Sequence, residues 1–248
     1  PGRSDASGTG YWGTAGYDRE LFVQALGHDA TLPRVLGPGE VAGRTPSGAI
    51  VGAGMGDNAG AALGLDARAG DLVVSIGTSG AVFAVSPSPT NDPSGTIAGF
   101  ADASGAFLPL VCTLNAARVL DSIAALLGVQ LDELGRLALE AEPGASGVVL
   151  VPYFEGERTP NLPHATASFS GLTLGSTSRP NLARASIEGM LCGLAAGVDA
   201  LRAAGISPHR LLLIGGAAQN EAVPAVAAHV FDVPITVPAA SEYVADGA

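Results

Sequence analysis

Three glycine-rich turns carry the side chains best suited to chemistry. In the first, Ala49-Ile50-Val51 leads into glycines at 52, 54 and 56, followed by Asp57, Asn58 and a run of small residues to Leu65. It reads as strand, tight turn, helix, with a carboxylate at the turn placed to take a proton from a bound hydroxyl. The competing structural reading makes Asp57 a helix cap, because Asp at such a junction accepts first-turn N–H groups. The two roles are compatible. In the second turn, Gly77-Thr78-Ser79-Gly80 joins two apolar runs. It is either an ordinary hairpin turn or a phosphate loop, in which successive N–H groups and two hydroxyls form an anion-binding nest. In the third, Gly215-Gly216-Ala217-Ala218-Gln219-Asn220 follows the apolar run Leu211–Ile214. It is either a plain connector or a surface where a flat base or ribose packs on backbone, with Asn220 as a polar reader.

Gly54-x-Gly56-x-x-Ala59 also matches a dinucleotide fingerprint. That reading is weak. Asp57 would put negative charge where a pyrophosphate must sit, and no later strand ends in an acidic residue at the required spacing.

Composition narrows the partners. The 248 residues are 47% hydrophobic, enough for a large core, and the formal net charge is −11. Nucleic acid and anionic membrane surfaces both need positive charge, so neither is an expected partner. All 12 basic residues are arginine. A phosphate site must therefore use backbone N–H groups, hydroxyls, Arg or a metal. Cys112 and Cys192 lie far apart and read as buried thiols in a reducing cytoplasm. His28, His164, His209 and His229 are scattered with no ligand or triad spacing, so no metal site is expected from them. No apolar run approaches the roughly 18 residues of a membrane span. Together these features predict a cytoplasmic protein.

The elements that must position the turns follow from apolar periodicity and Gly/Pro punctuation. Pro1–Tyr17 reads as a loop with at most a short strand, Tyr17–Leu26 as a helix, and Leu32–Ser47 as an irregular connector. Asp71–Ser86 is a hairpin of strands Leu72–Ile76 and Ala81–Val85. A second strand pair is expected at Thr96–Ala101 and Ala106–Leu110. Helices are expected at Leu114–Leu127, Leu131–Glu142, Asn181–Ala204 and Glu221–Phe231, and strands at Val148–Val151, Arg210–Ile214 and Val233–Val237. Tyr153–Ser178 is a long loop, and long loops in compact domains are usually functional. Its start, Tyr153–Pro160, reads either as functional or as a surface loop with an ion pair. Hairpins first and strand–helix units later predict an α/β domain with a mixed sheet. Pro1 stands where an initiator Met would, and Glu242–Ala248 reads as the opening of a helix. The chain is therefore expected to be part of a longer protein.

Taken together and in order, these segments resemble the FGGY family of carbohydrate kinases, and within it the xylulokinase branch. Gly56-Asp57-Asn58-Ala59-Gly60 is similar to the family's catalytic aspartate turn, and Asp71–Gly80, DLVVSIGTSG, to its ATP phosphate hairpin. Ala167-x-Phe169-x-Gly171-Leu172, then Asn181-Leu182-x-x-Ala185-Ser186-Ile187-Glu188, fits its second signature. Leu213–Ala217 with Asn220 is similar to its adenosine motif. Ser4–Thr9, SDASGT, and Pro152–Pro160, PYFEGERTP, are typical of the xylulokinase branch rather than of glycerol kinases.

The resemblance implies an α/β fold of the actin-like ATPase and ribonuclease H-like type, with a mixed sheet flanked by helices. It assigns 1–66 to the end of an N-terminal domain and 67–248 to the C-terminal, ATP-binding domain. The activity it implies is ATP-dependent phosphorylation of a ketopentose, D-xylulose to D-xylulose 5-phosphate. Ribulose, glycerol or gluconate are the alternative acceptors, and an actin-like ATP-binding protein without kinase activity is a further one. Asp57 would be the general base and Asn58 a second substrate contact. Gly77 and Thr78 would bind the β/γ-phosphates, and Gly216, Ala217 and Asn220 the adenosine, with Mg²⁺ supplying positive charge. The sugar and ATP are the expected partners, with a homodimer as one possible assembly. The family's G-x-D-x-G-T phosphate motif is nowhere in these residues, so this piece alone is expected to be inactive.

Overall fold

The computed structural model describes residues 1–248. Its first part runs α1 (Arg3–Ser7), β1 (Trp12–Gly13), β2 (Gly16–Tyr17), α2 (Arg19–Leu26), β3 (Gly43–Arg44), β4 (Ile50–Val51) and α3 (Asp57–Gly64). Then come β5 (Asp71–Ile76), β6 (Gly80–Ala84), β7 (Ala98–Ala101), β8 (Phe107–Thr113), α4 (Ala117–Leu127) and α5 (Leu131–Glu140). The last part is β9 (Val149–Val151), β10 (Ser168–Ser170), α6 (Arg179–Ala203), β11 (Arg210–Ile214), α7 (Ala222–Val230), β12 (Ile235–Thr236) and α8 (Tyr243–Asp246).

The organising element is a six-stranded mixed sheet in the order β12-β11-β5-β6-β8-β7. β5 and β6 share a tight turn and must pair antiparallel; β11 reaches β5 after a long helical excursion and pairs parallel. Both faces are covered, so the strands lack a polar side. Leu72, Val74, Ile76, Val82, Val111, Leu211 and Leu213 face one core with α4, α5, α6 and α7. The alternate residues Val73, Phe83, Leu108, Leu110, Leu212 and Ile214 face a second core closed by Ala59, Ala61 and Ala62 of α3. Each fully buried Leu, Ile or Phe there stabilises the fold by roughly 1.5–3 kcal/mol.

α6 lies directly on the first face. Ser178 opens it, its hydroxyl accepting the Asn181 N–H at 3.3 Å, and Pro180 sits in the first turn. Gly197 lets it approach closely, because a Cβ there would stand 3.3 Å from Val82 and Val111. No helix is long and apolar enough to cross a membrane.

Several expectations change. The opening segment contains α1, whose five residues are too few to show a helical period. The expected strand at Ala49–Val51 is a two-residue strand in a surface hairpin with β3, Ile50 being 60% exposed, and residues 52–56 lead from it to α3. The long loop pairs back through β10 onto β9. β8 continues to Thr113, so α4 starts at Ala117 and not at Leu114. Cys192 is exposed rather than buried, while Cys112 is half-buried.

One ion pair clamps the sheet at the edge where β5 and β11 begin. Arg210 donates from Nε to Asp71 Oδ1 at 3.0 Å and from Nη2 to Oδ2 at 2.6 Å, and the Arg68 N–H donates to Oδ2 at 3.0 Å. Burial pushes the Asp71 carboxyl up, but the Arg210 and Arg68 hydrogen bonds outweigh it and hold the pKa below its ordinary 3.8. A depressed folded-state pKa means that the stabilisation is present above the unfolded value and lost as pH falls through the folded one. Asp71→Asn is therefore expected to lower the urea midpoint at pH 7. Its stability should also fall less steeply than wild type below about pH 4, as urea unfolding across pH 2–7 will show.

Candidate active site

β5 and β11 run parallel with Ser75 opposite Ile214, so both chains leave the sheet at the same edge. In open α/β sheets this carboxyl edge is where ligands bind. Gly215 continues from β11 with φ 98°, and a Cβ on it would stand 2.4 Å from the Ile76 carbonyl oxygen. No L side chain fits there. The second and third glycine turns, far apart in the chain, are thereby brought side by side.

Gly77, Thr78 and Ser79 form the exposed turn between β5 and β6. The Gly77 carbonyl accepts the Ala117 N–H at 2.9 Å, which fixes the turn to the first residue of α4. Gly80 is required by packing, since a Cβ would stand 2.5 Å from Leu194 Cδ2 and 2.6 Å from Thr113 Oγ1. The Thr78 and Ser79 hydroxyls make no hydrogen bond within the protein and face outward.

The third turn is a 3₁₀ turn, Gly216–Gln219. Gly216 lies between two cavities. One, of about 350 Å³, runs beneath the starts of α4 and α5 and is lined by Ala117, Asp121, Leu131, Gly135, Ala217 and Asn220. In it Asn220 is held firmly: Nδ2 donates to the Leu131 carbonyl at 3.0 Å and Oδ1 accepts the Ala222 N–H at 3.0 Å. Gly135 makes room for that amide, which would lie 2.3 Å from a Cβ at 135.

The second cavity, of about 400 Å³, joins the third turn to the first. Asp57 and Asn58 line it together with Ser75, Gly215, Gly216, Glu242 and Tyr243. Gly56 is the N-cap of α3 and Asp57 the first helical residue, so Asp57 does not occupy the N-cap position, although it accepts one first-turn N–H. Its Oδ1 accepts from the Asn58 backbone N–H at 2.7 Å and from Asn58 Nδ2 at 3.0 Å, which leaves Oδ2 unpartnered. Asn58 thus orients the carboxylate. The small residues of α3 are explained by α8, which crosses it at close range: a Cβ on Gly64 would stand 2.1 Å from the Tyr243 carbonyl. The cavities thus bring Asp57 and Asn58 together with Gly216, and Gly216 with Ala217 and Asn220. Gly77 and Thr78 lie outside both, on the exposed turn.

Two contributors lie in stretches that the sequence marks only by resemblance, Ser4–Thr9 and Pro152–Pro160, with no role assigned to either residue. Ser4 of α1 accepts the Gly56 N–H on its hydroxyl at 3.0 Å and so holds the Asp57 turn from 52 residues away. Glu157, read only as part of a charged loop, is 3% exposed. Its carboxylate accepts the Leu114 N–H at 2.5 Å, the Arg158 N–H at 2.7 Å and Asn115 Nδ2 at 3.0 Å. The surface ion pair expected in that loop is Glu155 with Arg118, worth about 0–1 kcal/mol. Glu157 instead nails the loop to the β8–α4 junction, and α4 in turn holds Gly77. The sequence signal for it is the resemblance of Pro152–Pro160, which marks the segment but not the role of Glu157.

Residues 72–248 match the model of the FGGY family of carbohydrate kinases, C-terminal domain. A Streptomyces coelicolor protein named xylulose kinase is 43% identical over 99% of this chain and 52% of its own length. A crystal structure of xylulose kinase from Bifidobacterium adolescentis superposes with a TM-score of 0.88 at 46% identity, covering 99% of this chain and 53% of that one. A Bacillus subtilis gluconokinase is 30% identical over 73% of this chain and 38% of its own length. The chain spans about half the length of the curated relatives it matches.

The two adjacent glycines of the third turn give a sharp test of the architecture. Gly215→Ala meets both a left-handed φ and the Ile76 backbone, at a cost of about 1–3 kcal/mol or more. Gly216→Ala meets nothing within 4 Å. The first is expected to lower the thermal midpoint by at least several degrees and the second to leave it nearly unchanged, as differential scanning calorimetry will show.

Proposed function

Because the chain belongs to the FGGY family of carbohydrate kinases, with the actin-like ATPase fold of its structural relatives, we propose that the whole protein transfers the γ-phosphoryl group of ATP to D-xylulose. The observation that carries this reading is the placement of Asp57. With Oδ2 unpartnered, it lines a cavity that begins at the carboxyl edge of β5 and β11, beside the space of about 350 Å³ under α4 and α5. Residues 1–66 are read as the end of an N-terminal domain and 67–248 as the ATP-binding domain. The family match beginning at Leu72, within β5, supports that division.

Phosphoryl transfer asks a protein mainly for positioning and electrostatics. Asp57 accepts the proton of the attacking hydroxyl at Oδ2, while Asn58 holds Oδ1 and offers a contact to a second hydroxyl. Gly77 and Thr78 bind the β/γ-phosphates through backbone N–H and hydroxyl donors. Gly216 and Ala217 pack on the adenosine, with Asn220 holding the turn against α5 while it forms part of that wall. No Arg lines either cavity, so the charge on the triphosphate is left for a divalent cation to offset. Asp57 and Glu242 are the carboxylates lining the Asp57 cavity, and they are the protein groups that would hold a divalent cation such as Mg²⁺. When bound, that cation would supply positive charge at the phosphoryl oxygens. A cytoplasmic location follows from the same reading.

Asp57→Asn in the full-length protein removes the proton acceptor and keeps the shape. Xylulose-dependent ADP release is expected to fall by roughly 10²–10⁴-fold, with ATP-analogue binding unchanged within about twofold. A wild-type rate in that coupled assay sinks the assignment.

A further inference from the structure

Asp57 also opens onto a third cavity, toward the β7–β8 edge of the sheet and away from the Gly215–Gly216 turn. It measures about 340 Å³ and is lined by Asp5 and Thr9, by Asp57 and Asn58, and by Phe100 and Leu110 on the sheet. That volume falls within the usual range of small-molecule sites, about 300–1,000 Å³.

The wall carrying Asp5 is built. α1 is fastened on both sides: Ser4 takes the Gly56 N–H at 3.0 Å, and Ser7 takes the Ala101 N–H of β7 at 2.9 Å. Between these anchors the Asp5 carboxylate has neither a hydrogen-bond donor nor a cation. Its Oδ1 stands 3.6 Å from the point where a Cβ on Gly56 would lie. Asp5 and Asp57, both exposed to solvent, line one cavity, and no Arg lines it. The Phe100 ring lines the same cavity and lies so close to Gly8, the C-cap of α1, that a Cβ there would stand 3.0 Å from its Cε1. Like charges sharing a cavity gain nothing for stability. They suit a ligand that donates several hydrogen bonds and carries no negative charge, with an apolar flank for the ring.

We propose that this cavity takes the acceptor's carbon chain, and that Asp5 selects a neutral polyhydroxy substrate by accepting hydroxyl protons in hydrogen bonds while repelling sugar acids. The proposal rests on the reading of Asp57 as the proton acceptor and adds a specificity residue to that site. Asp5 takes no proton in the reaction, so its effect falls on acceptor binding.

The test compares xylulose and gluconate as acceptors for the full-length protein. Asp5→Asn is expected to raise KM for xylulose about tenfold, with kcat within threefold and KM for ATP within twofold. The ratio of kcat/KM for gluconate to that for xylulose should rise about tenfold, because charge repulsion is gone. Phe100→Leu should raise KM for xylulose and leave that ratio unchanged. Protection against thermal unfolding by xylulose, measured without ATP, should weaken in both variants, and this readout needs no turnover. An unchanged xylulose KM and ratio in Asp5→Asn overturns the proposal, as does an equal loss toward both acceptors and ATP. Failure of the Asp57 reading shows separately, as full activity of Asp57→Asn, whatever Asp5→Asn does.

Discussion

The site depends on one close backbone contact, that of Gly215 against Ile76. Parallel pairing of β5 with β11 puts both strand ends at one edge, but adjacency alone does not make a site. The chain leaving β11 must turn at once with left-handed φ, and it must pass within a distance of the Ile76 carbonyl that excludes any side chain. That contact sets the spacing between the hairpin turn at Gly77–Ser79 and the 3₁₀ turn at Gly216–Gln219. The Asp71–Arg210 pair anchors the same two strands at their opposite ends, so their register is held from both sides of the sheet.

Around that fixed edge, Asp57 is placed by small residues rather than large ones. α3 buries alanines on the sheet and presents Gly60 and Gly64 to α8, so that two helices and a strand face meet at nearly backbone-to-backbone range. Glycine costs a helix roughly 0.5–1 kcal/mol against alanine, and the close crossing is what that cost secures. It puts Asp57 at the first position of a helix whose partial positive charge suits a carboxylate. The N-cap amide, at Gly56, is held by Ser4 from outside the helix, and both Asn58 donors fall on Asp57 Oδ1, which leaves Oδ2 unpartnered.

The second support is polar and buried. Glu157 accepts three N–H donors, none from a cation, and joins the Gly156–Arg158 segment to Leu114 and Asn115 just before α4. Hydrogen bonds to an ionised group are worth about 1.5–3 kcal/mol each, and leaving a buried donor unpaired costs about 1–3 kcal/mol. This junction therefore resists displacement. Because Ala117 donates to the Gly77 carbonyl, that rigidity passes to the hairpin turn at Gly77–Ser79.

Much of this was legible in the sequence. Apolar runs bounded by glycine identified β5, β6 and β11; Pro180 and Gly205 bounded α6; three glycine turns identified the candidate site. These signals are local: strand runs, helix stops and turn residues are dictated by nearest neighbours along the chain. What escaped is what depends on partners far away. α1 is too short to show a period and owes its place to Ser4 and Ser7, whose partners lie 52 and 94 residues on. Glu157 looked like a surface charge because burial is not written in a residue's identity. The sequence by itself determined which residue types could do chemistry and which turns would carry them. Only the tertiary structure decided that Gly56 and not Asp57 takes the N-cap position, that Asp5 shares a cavity with Asp57, and that turns some 140 residues apart lie side by side. The physical reason is that these outcomes rest on close packing and on hydrogen bonds between distant segments, which exist only once the sheet has closed.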